Sequence, residues 1–168
     1  MGVKTVYLDS SSILKRYIEE KASDVIDEVY EKAEAGKLKL AFSIWNVGEI
    51  IGVLDRHVSR RLISAETFRS ALSKFILESM KMVRLGSLQI MPITSKSLSN
   101  SWLLITKHHI YEADALQIST SLEAECNFLF SADADLVPIA ERENIKAVNI
   151  EAEPERALEI LREGTEAP

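Results

Sequence analysis

The chain has 168 residues and a mass of 18.8 kDa, a size usual for one domain, so a single domain over 1–168 is expected. Apolar residues make up 46% of it, enough to bury roughly 70% of the surface an unfolded chain of this size exposes; six Gly and four Pro are too few for a disordered or collagen-like chain. With 20 basic against 26 acidic side chains the formal charge is −6, so no global positive field draws in nucleic acid or an anionic membrane. A single cysteine, Cys126, excludes an intrachain disulfide and a multi-cysteine metal site, and it reads as a small buried hydrophobe. No apolar run approaches the roughly 20 residues that span a bilayer, and Met1 to Lys4 leads into a strand, not a signal peptide. A cytoplasmic protein with no membrane partner is expected.

Val3 to Leu8 is β-branched and apolar, the pattern of a strand covered on both faces, and Asp9 ends it. Ser10 to Ser12 can cap a helix through Glu20, and Ser23-Asp24 a second one running to Ala35, stopped by Gly36. Leu38 to Phe42 reads as a strand and Asn46 to Arg61 as a helix with Val47, Ile50, Ile51, Leu54 and Val58 on one face. Ser64 caps a long amphipathic helix, Ala65 to Leu85, closed by Gly86, so a helical hairpin occupies about residues 46–85. Leu88 to Ile93 is strand-like, with Pro92 tolerated only at an edge or a strand end. Helices follow over Thr94–His108 and Glu112–Glu125, then a short strand Phe128–Phe130, a helix Leu136–Glu143 and a last strand Lys146–Ile150. Pro154 sits at the first position of a terminal helix, about 154–163, and only the last four or so residues look frayed. This alternation implies a three-layer α/β/α sandwich around a parallel sheet, with its core in about residues 3–150.

In open α/β sheets ligands bind beyond the carboxyl ends of the strands, and four acids fall there. Asp9 follows the first strand, Glu49 lies in the first turn of the helix after the second, Asp114 opens another helix, and Asp133 follows Phe128–Phe130. Each has a plainer reading. Asp9 is also a turn or cap residue; Glu49 completes Asn46-x-x-Glu49, which resembles a capping box and lies opposite the apolar stripe. Asp114 lies about 60° from the centre of the Tyr111, Ala115, Ile118, Leu122 stripe, where a carboxylate needs a partner, although the helix N-terminus also favours it. Asp133 and Asp135 compete for one role, and the other is then a turn residue or helix cap. Such a cluster would repel itself unless it bound cations or held raised pKa values. Its oxygen-only ligands favour magnesium or manganese over zinc. His57, His108 and His109 form no zinc pattern and read as solvated polar residues, while Trp45 and Trp102 read as core or interface residues.

Four segments together carry a family resemblance. Leu8-Asp9-Ser10-Ser11-Ser12 with the following Ile13 to Glu20, Ser43-x5-Glu49, Glu112-Ala113-Asp114-Ala115-Leu116 and Ser131-x-Asp133-x-x-Leu136 resemble the ordered motifs of PIN-domain nucleases, and within them most of all the VapC-type toxins. The resemblance implies a ribonuclease that hydrolyses RNA phosphodiesters with one or two Mg2+ or Mn2+ ions. It assigns metal and catalytic roles to Asp9, Glu49, Asp114 and Asp133, and auxiliary ones to Ser131, Asp135 and Ser10. It implies an antitoxin partner and a homodimer, both commonly built on the hairpin region. The interval from Glu49 to Asp114 is longer than in compact members. Lys15, Arg16, Arg56, Arg60 and Arg61 are candidate phosphate contacts, set against ordinary solvated helix ends.

Competing α/β modules fit less well. A haloacid-dehalogenase-type phosphatase needs a second acid where Ser11 stands, and a receiver domain needs an Asp after its third strand and a late Lys. An RNA-processing nuclease without an antitoxin, or a PIN fold that has become an inactive binding module, remain as alternatives. Two divalent ions would bring the formal charge of −6 to about −2, so part of the acidity reads as a metal site.

Overall fold

The structure, a computed structural model, describes residues 3–163. Five strands, β1 (Thr5–Leu8), β2 (Lys39–Ser43), β3 (Leu88–Met91), β4 (Phe128–Ser131) and β5 (Lys146–Asn149), form one parallel sheet in the order β3-β2-β1-β4-β5. Every neighbouring pair is parallel, with Val6 opposite Leu40 on one side and Phe128 on the other. The chain fills the sheet from β1 outward to β3, then returns to the other side of β1 for β4. The order therefore reverses between β1 and β4, which is where a parallel sheet opens a crevice at its carboxyl end.

Period-2 alternation divides each strand between two apolar clusters. Val6, Leu8, Leu40, Phe42, Phe128, Phe130 and Val148 face a core shared with α2 (Ser23–Glu34), α3 (Ile44–Ser59), α4 (Ala65–Leu85) and α8 (Pro154–Glu163). Tyr7, Ala41, Leu129 and Ala147 face a second core with α5 (Ser95–His108), α6 (Glu112–Glu123) and α7 (Leu136–Arg142). Both faces are thus covered, as the continuous apolar strands require, giving the expected α/β/α sandwich. Cys126 packs against the second core half-buried, with burial pushing its thiol up to about 12.

The hairpin forms with the expected caps. Ser64 Oγ accepts from Thr67 N at 3.0 Å, and Gly86 closes α4 at φ +72°, a conformation that favours glycine. Strand β3 is an edge strand ending at Met91, which leaves Pro92 outside the ladder.

Three local expectations are corrected. The first helix, α1, spans only Ser10–Leu14 instead of reaching Glu20, because Lys15 to Tyr17 tighten into i→i−3 bonds and the chain must turn to start α2. Ala22, at φ 64°, is the N-cap of α2, while Ser23 Oγ accepts from Glu20 N and donates to Lys15 O, holding that turn instead of the helix end. At α3 the box joins Ser43 and Asn46, so Glu49 takes no part in capping.

Candidate active site

A cleft of about 770 Å³ opens at the carboxyl end of the sheet, lined by Asp9, Glu49, Asp114 and Asp133. Four segments separated by as many as 124 residues in sequence are brought together by the strand order alone. Asp9 leaves β1 as the N-cap of α1 and is 2% exposed. Its Oδ1 accepts from Ser12 N at 2.8 Å, and its Oδ2 accepts from Ser11 Oγ and Ser131 Oγ, each at 2.6 Å. Burial raises the Asp9 pKa, and these bonds oppose the rise without reversing it. A carboxylate offers about four lone-pair sites, so Asp9 keeps roughly one for anything entering the cleft.

Ser131, at the end of β4, couples two of the acids: its hydroxyl donates to Asp9 and accepts from Asp133 N at 2.8 Å. Asp133 Oδ1 in turn accepts from Asp135 N at 2.7 Å. Asp135 lies on the exposed lip, outside the lining of the main cleft, and opens α7. Glu49, half-buried in the second turn of α3, accepts from Ser10 Oγ at 2.5 Å. Asp114 lies in the first turn of α6, half-buried, with its pKa raised to about 6 by burial and then by the charges of Asp133, Glu49, Asp9 and Asp135. That mutual repulsion is the electrostatic signature of convergent carboxylates.

Beneath the acids lies a polar network that the sequence patterns did not reveal. Asn46, fully buried, accepts at Oδ1 from Ser43 N (2.8 Å), Ser43 Oγ (2.9 Å) and Tyr7 Oη (3.1 Å). Its Nδ2 donates to Ser10 Oγ and to Gln117 Oε1, both at 2.8 Å. Asn46 thus holds Ser10, which holds Glu49. The available signal was the polar run Gln117, Ser119, Thr120, Ser121 on the buried side of α6, which an amphipathic helix would fill with apolar residues.

The basic candidates separate. Arg56 lines the cleft, and Gly52 leaves it room: a Cβ there would meet Arg56 Nη1 at 3.4 Å. Lys15 also lines it, but it is 4% exposed and paired with Glu151 Oε1 at 2.5 Å and Glu20 Oε2 at 3.2 Å. Arg16 lies outside the cleft lining and is engaged elsewhere. It joins Asp27 at 2.6 Å and Glu78 at 2.8 Å, tying α1 to α2 and α4. Arg60 and Arg61 lie outside the cleft lining. One further expectation fails, since the His108 side chain is buried against Glu143 instead of solvated; Trp45 and Trp102 are exposed, which excludes the core of their two readings, and Trp45 stands on the cleft wall.

The donor set is all carboxylate oxygen, and Asp114 carries a pKa raised by burial and then by the charges of the other acids, so its chemistry fits a hard divalent cation. Among the described residues no three Asp, Glu, His or Cys side chains already close on one point, so the cluster is open.

A parallel α/β/α sandwich with four acids lining the cleft at its switch point places them where open α/β sheets bind their ligands. The chain belongs to the PIN domain family, whose model matches residues 6–142. PIN domains are in general nucleases. Three solved structures share the fold: PAE2754 from Pyrobaculum aerophilum (16% identity, 96% of this chain and 90% of that one, TM-score 0.64), FitAcB from Neisseria gonorrhoeae (14%, 86% and 96%, 0.58) and VapC20, the sarcin-ricin loop cleaving toxin of Mycobacterium tuberculosis (13%, 78% and 92%, 0.54). No curated protein matches the sequence. Among the described residues no helix is long and apolar enough to cross a membrane.

Proposed function

We propose that this protein is a divalent-metal-dependent endoribonuclease and the toxin member of a toxin–antitoxin pair. The observation that carries the reading is the gathering of Asp9, Glu49, Asp114 and Asp133 on one cleft, where burial and then the charges of the other three raise the Asp114 pKa to about 6. Membership in the PIN family and structural likeness to a protein described as an RNA-loop-cleaving toxin support it.

The four acids would hold one or two Mg2+ or Mn2+ ions, which would supply Lewis acidity toward a phosphate oxygen and lower the pKa of a bound water. The protein's own share is positioning. Ser11, Ser12 and Ser131 fix both oxygens of Asp9, Ser10 fixes Glu49, and Ser131 spaces Asp133 from Asp9. Locked carboxylates lose little conformational entropy when they bind. Arg56 is the cleft cation best placed to meet a phosphate, since Lys15 already satisfies two carboxylates. An apolar groove of about 420 Å³ between α3 and α4, with Ile76, Met80 and Val83 exposed on it, supports an antitoxin or a second copy docking on the hairpin.

Asp9→Asn tests the reading. Cleavage of single-stranded RNA in Mg2+ should fall about 100-fold or more while the unfolding transition is retained. Undiminished metal-dependent cleavage by that variant would sink the proposal.

A further inference from the structure

Tyr111, at 76%, is the most exposed large hydrophobic side chain among the described residues, yet it stands at the mouth of the acidic cleft. It occupies the N-cap position of α6, where its side chain makes no capping bond, so helix stability does not explain its presence. Asp114 lies three residues on, the spacing that puts two side chains side by side at a helix start. Behind Tyr111 a second concavity of about 460 Å³ is lined by His109, Ile110, Pro138 and Arg142. Tyr111 and Asp114 line both hollows, so the ring stands at their junction.

The second hollow combines an aromatic ring, the apolar edges of Ile110 and Pro138, and the basic side chains His109 and Arg142 at the surface. Among the described residues neither His109 nor Arg142 forms an ion pair. Asp135 also lies on this wall, an acceptor for a base amino group and a repellent to a second phosphate placed against it. Such a mixture suits one unpaired nucleotide: a base has a flat face for the ring, and its phosphate has the Arg142 guanidinium and the His109 ring as hydrogen-bond donors. A duplex could not offer that face, because its bases are stacked on each other.

Resting on the nuclease reading above, we propose that Tyr111 is the stacking platform for the nucleotide next to the scissile phosphate, and that the hollow behind it, with His109 and Arg142, is the subsite for that nucleotide. Tyr111 is thereby a substrate-positioning residue that selects single-stranded RNA.

The test is a cycle between protein and substrate. Tyr111→Ala should raise KM for a single-stranded oligoribonucleotide about 10-fold with kcat little changed, and Tyr111→Phe should restore it. An oligonucleotide abasic at one neighbouring position should cost the wild type the same factor and cost Tyr111→Ala nothing more. Trp102→Ala, an exposed aromatic outside both hollows, should behave as wild type. Equal KM for Tyr111→Ala and wild type, failure of the Phe variant to restore it, or additive losses on the abasic substrate would each overturn the subsite. A ring that serves a protein contact instead gives the first of these results. Fluorescence anisotropy of the same oligonucleotide on Asp9→Asn separates the two proposals: Tyr111-dependent binding without any cleavage by the wild type refutes the nuclease and keeps the subsite. Cleavage with Tyr111-independent binding does the reverse.

Discussion

Replacing Asn46 by leucine, a residue of similar size, should remove the centre of the network under the site. Asn46 receives three donors at Oδ1 and gives two hydrogen bonds from Nδ2, all in the interior. Tyr7 keeps a neighbour in Thr120 Oγ1 at 2.7 Å and Gln117 keeps Ser10 N at 3.3 Å, so the groups left worst placed are the Ser43 N–H and the Ser43 hydroxyl. Each buried group left unpaired costs about 1–3 kcal/mol, and burying the leucine returns about 1–2 kcal/mol. The net loss is about 3 kcal/mol, a fall of roughly 6–12 °C in Tm for a domain of this size. Glu49 also loses its indirect support through Ser10, so kcat for RNA should fall with the stability. Urea unfolding followed by circular dichroism measures the first effect and a cleavage assay on the folded variant the second. A variant within about 0.5 kcal/mol of wild type would refute the claim that these bonds are satisfied only through Asn46.

Two acids should give pH dependences of opposite sign. Asp114, raised to about 6, binds a proton in the folded state at pH values where the unfolded chain has lost it; its contribution is complete below about pH 4 and is lost as pH rises toward 6. Urea unfolding of the metal-free protein should show that decline, and Asp114→Asn should flatten it. At Glu143 burial acts upward, but hydrogen bonds from Lys107 and His108 hold its pKa below the usual carboxylate range. Its stabilisation is present above the ordinary value and lost as pH falls through the lowered one, so Glu143→Gln should weaken the acid limb of the same curve. Arg16→Ala should destabilise by about 1–3 kcal/mol, because it leaves Glu78, only 12% exposed, without its cation and with the Tyr17 hydroxyl alone, and should leave KM for RNA unchanged. A raised KM in that variant would return Arg16 to the substrate surface.

The sheet and most helices could be read in advance because their signals are local. Val3 to Leu8 announces a strand through unbroken apolar and β-branched residues, and Ser64 and Gly86 bracket α4 to the residue, since capping depends on a few adjacent backbone groups. The failures are equally physical. Residues 15–20 look helical, yet the chain turns there, held by Ser23 Oγ, which accepts from Glu20 N and donates to Lys15 O. Asn46 could be taken for a partner of Glu49 within one helix turn, but its side chain turns inward to Ser43 and Tyr7, a choice set by contacts 3 and 39 residues away.

By itself the sequence determined a parallel α/β fold with acids following its strands, because residue periodicity and end signals act over a few positions. The tertiary structure decided which charges are free to act. Arg16 and Lys15, neighbours of Asp9 in sequence, are consumed by carboxylates from other elements, whereas Arg56, Trp45 and Tyr111 are delivered to the cleft. Pairing and burial depend on what the strand order brings within a few ångströms, and that distance is written nowhere in the local sequence.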